Sequence, residues 1–169
     1  QTGGARLPVT EQDELVELEA ARERNDLDIT DLRGMSVKEL REVTARLDIE
    51  TGSGDRREEL VDRILQRQTE RAGLDYAFGI LDVVDDGYGF MRRHGLLPSA
   101  DDVYVSSSQV RRFGLRIGDR VTGAVRAPRE GEKFWGLIRV DSVNGVDTDT
   151  ARRRPNFGDL TPIHPIELI

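Results

Sequence analysis

Cysteine is absent from the 169 residues. Its absence excludes disulfides, thiolate metal sites and cysteine nucleophiles, and fits a reducing compartment. No apolar run approaches the roughly 18–20 residues that span a bilayer. No charged-then-apolar signal segment opens the chain. A cytoplasmic protein without a membrane partner is expected. Histidine is scarce: His94 and His164 are the only two, and neither has partner ligands at metal-binding or catalytic spacing. No Gly-x-x-x-x-Gly-Lys-Ser/Thr run occurs, so no phosphate-binding loop for ATP is present. The expectation is a chain with no cofactor, no metal and no catalysis of its own. It begins with Gln1 rather than Met, as a processed chain or a fragment would.

Aromatic residues are also few, and they are unevenly placed. All nine lie between Tyr76 and Phe157. The net charge of −7 is uneven as well. Residues 1–72 hold 12 basic and 18 acidic groups; residues 73–169 hold 13 and 14. Charge without aromatics stands in front, and aromatics interleaved with arginine stand behind. Two units are expected, with function mainly in the second.

Residues 1–29 read as an acidic leader, a disordered arm or a frayed helix. Leu15, Val16 and Leu18 are too few to bury a face. Residues 30–72 read as a small helical bundle. Ser36 and Glu39 fit a capping box, and Val37, Leu40, Val43 and Leu47 then recur at helical spacing. Thr51-Gly52-Ser53-Gly54 breaks that helix. Asp55, with Glu58 three positions on, is expected to start the next, whose buried stripe is Leu60, Val61, Ile64 and Leu65. Such a bundle is near the lower size limit of independent stability and is expected to lean on a neighbour. Arg56 and Arg57 are its one suggestive pair for phosphate contact.

From Phe78 the period changes to about two. Strands are expected over residues 78–84, 88–92, 102–105, 120–126 and 134–143, with a helical turn over 106–113. Asp85-Asp86-Gly87 is a turn signal; a cation site there is the lesser reading. Five short strands with one helical insert over residues 73–145 suggest a closed barrel of the OB or cold-shock kind. Residues 146–169 read as a linker or tail. The fold class is therefore α+β, a helical bundle followed by a five-stranded OB/cold-shock-like β-barrel.

Side chains alternate faces along a strand. Tyr88, Phe90 and Arg92 point one way. If Val103 and Val105 fill the barrel, Asp102 and Tyr104 face outwards. Trp135 shares its face with Leu137 and is expected inside, which leaves Phe134, near Glu132, outside. Four rings open to solvent call for a cover, and unpaired bases are a suitable one: stacking on a ring contributes on the order of 1–3 kcal/mol per base. Only a single strand exposes a pairing edge that Arg92 and Asp102 could read. The competing reading is rings that are partly core, beside a surface ion pair of little value. Two functional rivals stay open: a module whose aromatic face docks a transcription partner, and a general cold-shock-type single-strand chaperone.

Gly87-Tyr88-Gly89-Phe90-Met91 is similar to the first ribonucleoprotein-type motif of cold-shock domains, and Val103-Tyr104-Val105 to the second. More specifically, the run from Asp86 to Arg92 and the run from Asp101 to Phe113 resemble the RNA-binding domain of the bacterial transcription termination factor Rho family. Gly118-Asp119, the run from Arg126 to Trp135 and the run from Asn156 to Pro165 continue the likeness. Residues 29–71 fit the family's N-terminal helical subdomain. The resemblance covers about residues 30–165.

It implies binding of single-stranded, C-rich nascent RNA, loaded for an ATP-dependent hexameric translocase. Tyr88 and Phe90 would form a stacking wall. Tyr104, Glu132 and Phe134 would form a pocket around one base. Arg92 and Asp102 would read the cytosine edge, and Lys133 would serve the backbone. Tyr88 stands where the family often has Phe, and Phe134 where it often has Tyr; both keep a ring. The resemblance also implies a motor domain, with its ATP and Mg²⁺, beyond Ile169, a hexamer for the full-length protein, and RNA polymerase and other transcription factors as conceivable partners.

Overall fold

The computed structural model describes residues 9–95 and 98–153. Four helices come first: α1 (Glu11–Arg24), α2 (Ile29–Arg33), α3 (Val37–Arg46) and α4 (Arg57–Arg71). Then follow β1 (Asp75–Val83), β2 (Gly89–Arg92), β3 (Val103–Val105), α5 (Ser107–Arg112), β4 (Arg120–Arg126), β5 (Trp135–Val143) and α6 (Thr148–Arg152). The strands close into a barrel in the order β1-β2-β3-β5-β4. The β3–β5 pair is parallel and the rest are antiparallel. This is the α+β architecture expected of the sequence. None of the described helices is long and apolar enough to cross a membrane.

Local chemistry sets the helix starts. Ser36 Oγ accepts from the Glu39 N–H, and the Glu39 carboxylate accepts from the Ser36 N–H at 2.8 Å. α4 begins later than the sequence suggests. Asp55 is drawn back into the preceding turn, where it accepts from the Gly52 N–H and pairs with Arg63 at 2.7 Å. Arg56 takes the cap position instead, its N–H donating to Glu59 at 2.7 Å. Arg56 is exposed, whereas Arg57 donates to the Arg33 carbonyl.

Ile29, Leu32, Leu40, Val43, Leu60, Val61, Ile64 and Leu65 form the helical core. It leans on the barrel, as its size requires: Tyr76 of β1 packs against it. Arg139 of β5 donates to Thr69 of α4 at 2.8 Å while held by Asp141. Leu81, Met91, Val103, Val105, Val121, Val125, Leu137 and Val143 fill the barrel, each 0–1% exposed, and α6 adds Ala151. Strand alternation thus works as expected, with the valines of β3 inside and Trp135 partly buried against the same core.

Residues 11–24, read as a disordered arm or a frayed helix, form α1. Thr10 and Asp13 make a full capping box, and Asn25 closes the other end with a left-handed φ of 60°. None of its residues is buried. The run from Asn156 to Pro165 lies outside the described residues.

Candidate nucleic-acid interface

One row of residues crosses the barrel's outer face. In register, Asp82 lies opposite Phe90, Phe90 opposite Tyr104, Tyr104 opposite Gly136, and Gly136 opposite Arg126. Residues opposite each other across a ladder share a face. Tyr88 and Phe134 join the row from the strand ends. Ring centroids are 5.8 Å apart for Tyr88–Phe90, 5.6 Å for Tyr88–Tyr104, 6.1 Å for Phe90–Tyr104 and 5.2 Å for Phe90–Phe134. These are ordinary separations for edge and tilted ring contacts. Tyr88, Phe90, Tyr104 and Phe134 therefore form one continuous platform, with Phe90 touching the other three.

Gly89 makes the platform possible. It sits between Tyr88 and Phe90 on the opposite face, and an added Cβ would lie 2.7 Å from the Asp82 carbonyl oxygen. Only glycine lets β2 approach β1 so closely at that point.

The rings are less open than the alternation suggests. Tyr88, Phe90 and Phe134 are half-buried, and Tyr104 is only 8% exposed. Tyr104 does face outwards, but Tyr88 and Phe90 cover it, since aromatic surface on one face is buried by its neighbours. Burial pushes the Tyr104 phenol pKa upward, so it stays protonated and able to donate.

Asp102 also departs from the expected outward, edge-reading position. It is 2% exposed. Its oxygens accept from Arg92 Nη1 at 2.5 Å, from the Ser99 N–H at 3.0 Å and from Ser99 Oγ at 3.4 Å. Arg92 donates its other arm to Asp82 at 2.9 Å and stands 5.3 Å from the Phe90 ring centre. Burial opposes the guanidinium charge, but the two carboxylates outweigh it and raise the Arg92 pKa. Far from being a surface ion pair, Arg92 and Asp102 have side chains only 12% and 3% exposed.

Glu132 is likewise turned inward, with its side chain 6% exposed. It accepts from Arg126 Nη1 at 3.0 Å and from the Arg129 N–H at 3.0 Å. It thus ties the β4–β5 loop to β4. Burial disfavours its charge, but those two donors prevail and hold its pKa below the usual carboxylate range. Lys133 is exposed beside Phe134. Arginines border the rings on both sides. Arg93 lies 5.1 Å from the Trp135 ring centre. Arg92 Nε, Arg93 Nη1 and Arg126 Nε and Nη2 are buried donors without a hydrogen-bond partner. Unpaired buried donors each cost on the order of 1–3 kcal/mol.

All eight residues expected at the site, Tyr88, Phe90, Arg92, Asp102, Tyr104, Glu132, Lys133 and Phe134, thus belong to two elements: the β1–β2–β3 face and the β4–β5 loop. Arg126 escaped sequence reading. The signal was available, since β4 alternation puts it on the outer face with Thr122 and Ala124, but its partner Gly136 could be matched to it only through the register. His94 is exposed and bonded to Asp101 at 2.9 Å, away from any metal-like cluster. Among the described residues no group of three potential metal ligands occurs.

Comparison with known proteins gives two family matches in sequence order. Residues 31–73 match the model described as the Rho termination factor, N-terminal domain. Residues 77–149 match the Rho termination factor, RNA-binding domain. Curated relatives named transcription termination factor Rho include that of Aquifex aeolicus, 42% identical over 141 residues, covering 81% of this chain and 32% of the relative. That of Thermotoga maritima is 38% identical over 149 residues, covering 87% and 35%. That of Bacillus subtilis is 40% identical over 141 residues, covering 83% and 33%. The chain spans about a third of the length of these relatives.

Proposed function

The chain belongs to the Rho transcription termination factor family and carries its RNA-binding region, and from that membership we propose that the barrel binds single-stranded, C-rich RNA. The observation that carries the proposal is the platform of four touching rings with Arg92 fixed beside Phe90. Bases stack on Tyr88 and Phe90. One base enters between Tyr104 and Phe134. Phe134 stands one residue before β5, at the end of the β4–β5 loop, so its ring leaves Phe90 when the base arrives. Stacking of this kind tolerates any base. Preference for cytosine then comes from Arg92, which donates towards the base carbonyl and ring nitrogen. Asp102 acts through Arg92 as a positioning residue, and Glu132 holds the loop that carries Lys133 and Phe134.

In the whole protein, bound RNA would pass to the ATP-dependent hexameric motor that the family resemblance implies. No Gly-x-x-x-x-Gly-Lys-Ser/Thr run is present among these residues, so a phosphate-binding loop for that motor would not come from them. RNA polymerase contacts would belong to that larger assembly.

Titration of fluorescent oligo-C, oligo-U, oligo-A and duplex RNA tests the reading. Oligo-C should bind most tightly, oligo-U next, oligo-A weakly and the duplex least. Equal affinity for every single strand would favour a general chaperone. No binding at all would favour a protein-docking face.

A further inference from the structure

Val9, just before the Thr10 cap, is buried, but α1 itself is attached to the barrel mainly by charge. None of its residues is buried, and Leu15, Val16 and Leu18 are 54%, 55% and 48% exposed. A cavity of about 420 Å³ remains between the helix and the barrel, lined by Leu15, Leu18, Phe113, Ile138 and Val140. A helix seated on a packed core would not leave that space. Instead Glu14 pairs with Arg112 of α5 at 2.7 Å, Asp13 approaches Arg129 at 3.8 Å, and Glu11 accepts from Ser108 Oγ at 3.1 Å. The seat is imperfect, because Glu14 Oε2 is buried without a hydrogen-bond partner.

The two arginines are not arbitrary. Arg129 belongs to the β4–β5 loop, and its own N–H donates to Glu132, three residues after it and one before Lys133. Arg112 closes α5, which follows directly on the β3 strand of Tyr104. Adjacent acids of one α1 turn reach both, so the two guanidinium groups lie on one stretch of surface beside α1.

We infer that this surface is a phosphate-binding extension of the RNA site and that α1 is its built-in acidic occupant. α1 and the RNA backbone then compete for Arg112 and Arg129. The inference rests on the proposed RNA-binding function. It accounts for a helix that is well capped yet poorly buried: capping keeps α1 helical, while its attachment is weak enough to exchange. Arg112 and Arg129 are 43% and 60% exposed, and ion pairs to such open guanidinium groups are weak and sensitive to salt, the more enclosed Glu14 making the firmer of the two.

The test uses the 169-residue chain carrying Glu11→Gln, Asp13→Asn and Glu14→Gln together. Fluorescent oligo-C affinity should rise about threefold to tenfold at low salt, as expected for two weak ion pairs. The slope of log K against log salt should steepen by about −1.4, for two added phosphate contacts at about −0.7 each. Adding Arg112→Gln and Arg129→Gln should remove both gains. In the unaltered chain, saturating oligo-C should speed hydrogen exchange at α1 amides. Unchanged affinity and slope in the triple variant, with α1 amides equally protected with and without RNA, would overturn the inference. The platform function would survive that result if Phe134→Ala still weakened binding of oligo-C and oligo-U together. Failure of oligo-C to bind the unaltered chain and the triple variant alike would instead remove the RNA-binding reading, and this inference with it.

Discussion

Asp102 lies buried beneath Arg92 and accepts from its Nη1 at 2.5 Å, while Arg92 reaches Asp82 with the other arm and rests beside the Phe90 ring. The guanidinium is thereby fixed in position before any RNA arrives, and the carboxylate that fixes it has no spare access to a base.

Two substitutions separate these roles. Arg92→Ala should erode the preference for oligo-C over oligo-U while leaving oligo-U binding largely intact. Asp102→Ala should do the same indirectly. It should also lower stability by about 2–3 kcal/mol, because removing one partner of a buried pair strands the other; Asp82 keeps the loss towards the low end. Urea unfolding and paired titrations check both effects. Equal losses for C and U in the two variants would remove base-edge reading by Arg92.

Loss of a ring should act without regard to the base. Tyr104→Ala and Phe134→Ala should each weaken oligo-C and oligo-U together, by about 1–3 kcal/mol of binding free energy. Phe134→Tyr keeps the ring and should bind nearly as well as the unaltered chain. Fluorescence titration of the three variants decides the matter; a ring removal that spares oligo-U would contradict stacking as the common element.

Acid should loosen the β4–β5 loop. The folded-state pKa of Glu132 lies below its ordinary value, so its pairing stabilises the fold above the unfolded-state pKa, about 4.3. That contribution is lost as pH falls through the folded-state pKa, below that value. Urea unfolding midpoints across pH 3–6 should therefore drop at the acid end, and Glu132→Gln should flatten part of the drop. An identical acid limb in both proteins would contradict the proposed anchoring.

Few lysines and a near-neutral second half limit phosphate neutralisation. With α1 in place, log K against log salt should reflect about 2–4 phosphate contacts at about −0.7 each. A slope near −7 would mean a far more electrostatic site than the ring platform requires.

The first half of the barrel was legible in the sequence because β1 and β2 alternate between buried and more open positions, whereas bulges interrupt the pattern between β4 and β5. Val103 and Val105, Tyr88 and Phe90, and the turn at Asp85-Asp86-Gly87 place the first three strands and one aromatic face without further information. Depth was not legible. Alternation tells which face Tyr104 and Asp102 occupy, but not that neighbouring rings cover one and Ser99 and Arg92 surround the other. Those are contacts across strands, which depend on register. α1 was underestimated for the opposite reason: Thr10 and Asp13 spell a capping box, but the helix lacks the apolar stripe that usually announces one. At α4, Asp55 looked like the cap because Glu58 follows it at the right spacing, yet the Gly52 N–H and Arg63 compete for the same carboxylate.

The account stands most directly on whether bases lie against the four rings. Ring-proton NMR of Tyr88, Phe90, Tyr104 and Phe134 during an oligo-C titration measures this. The account predicts large, saturable ring-current shifts at all four, with an oligo-C duplex producing none. Unmoved ring resonances at saturating oligo-C, with shifts confined to other surfaces, would contradict it.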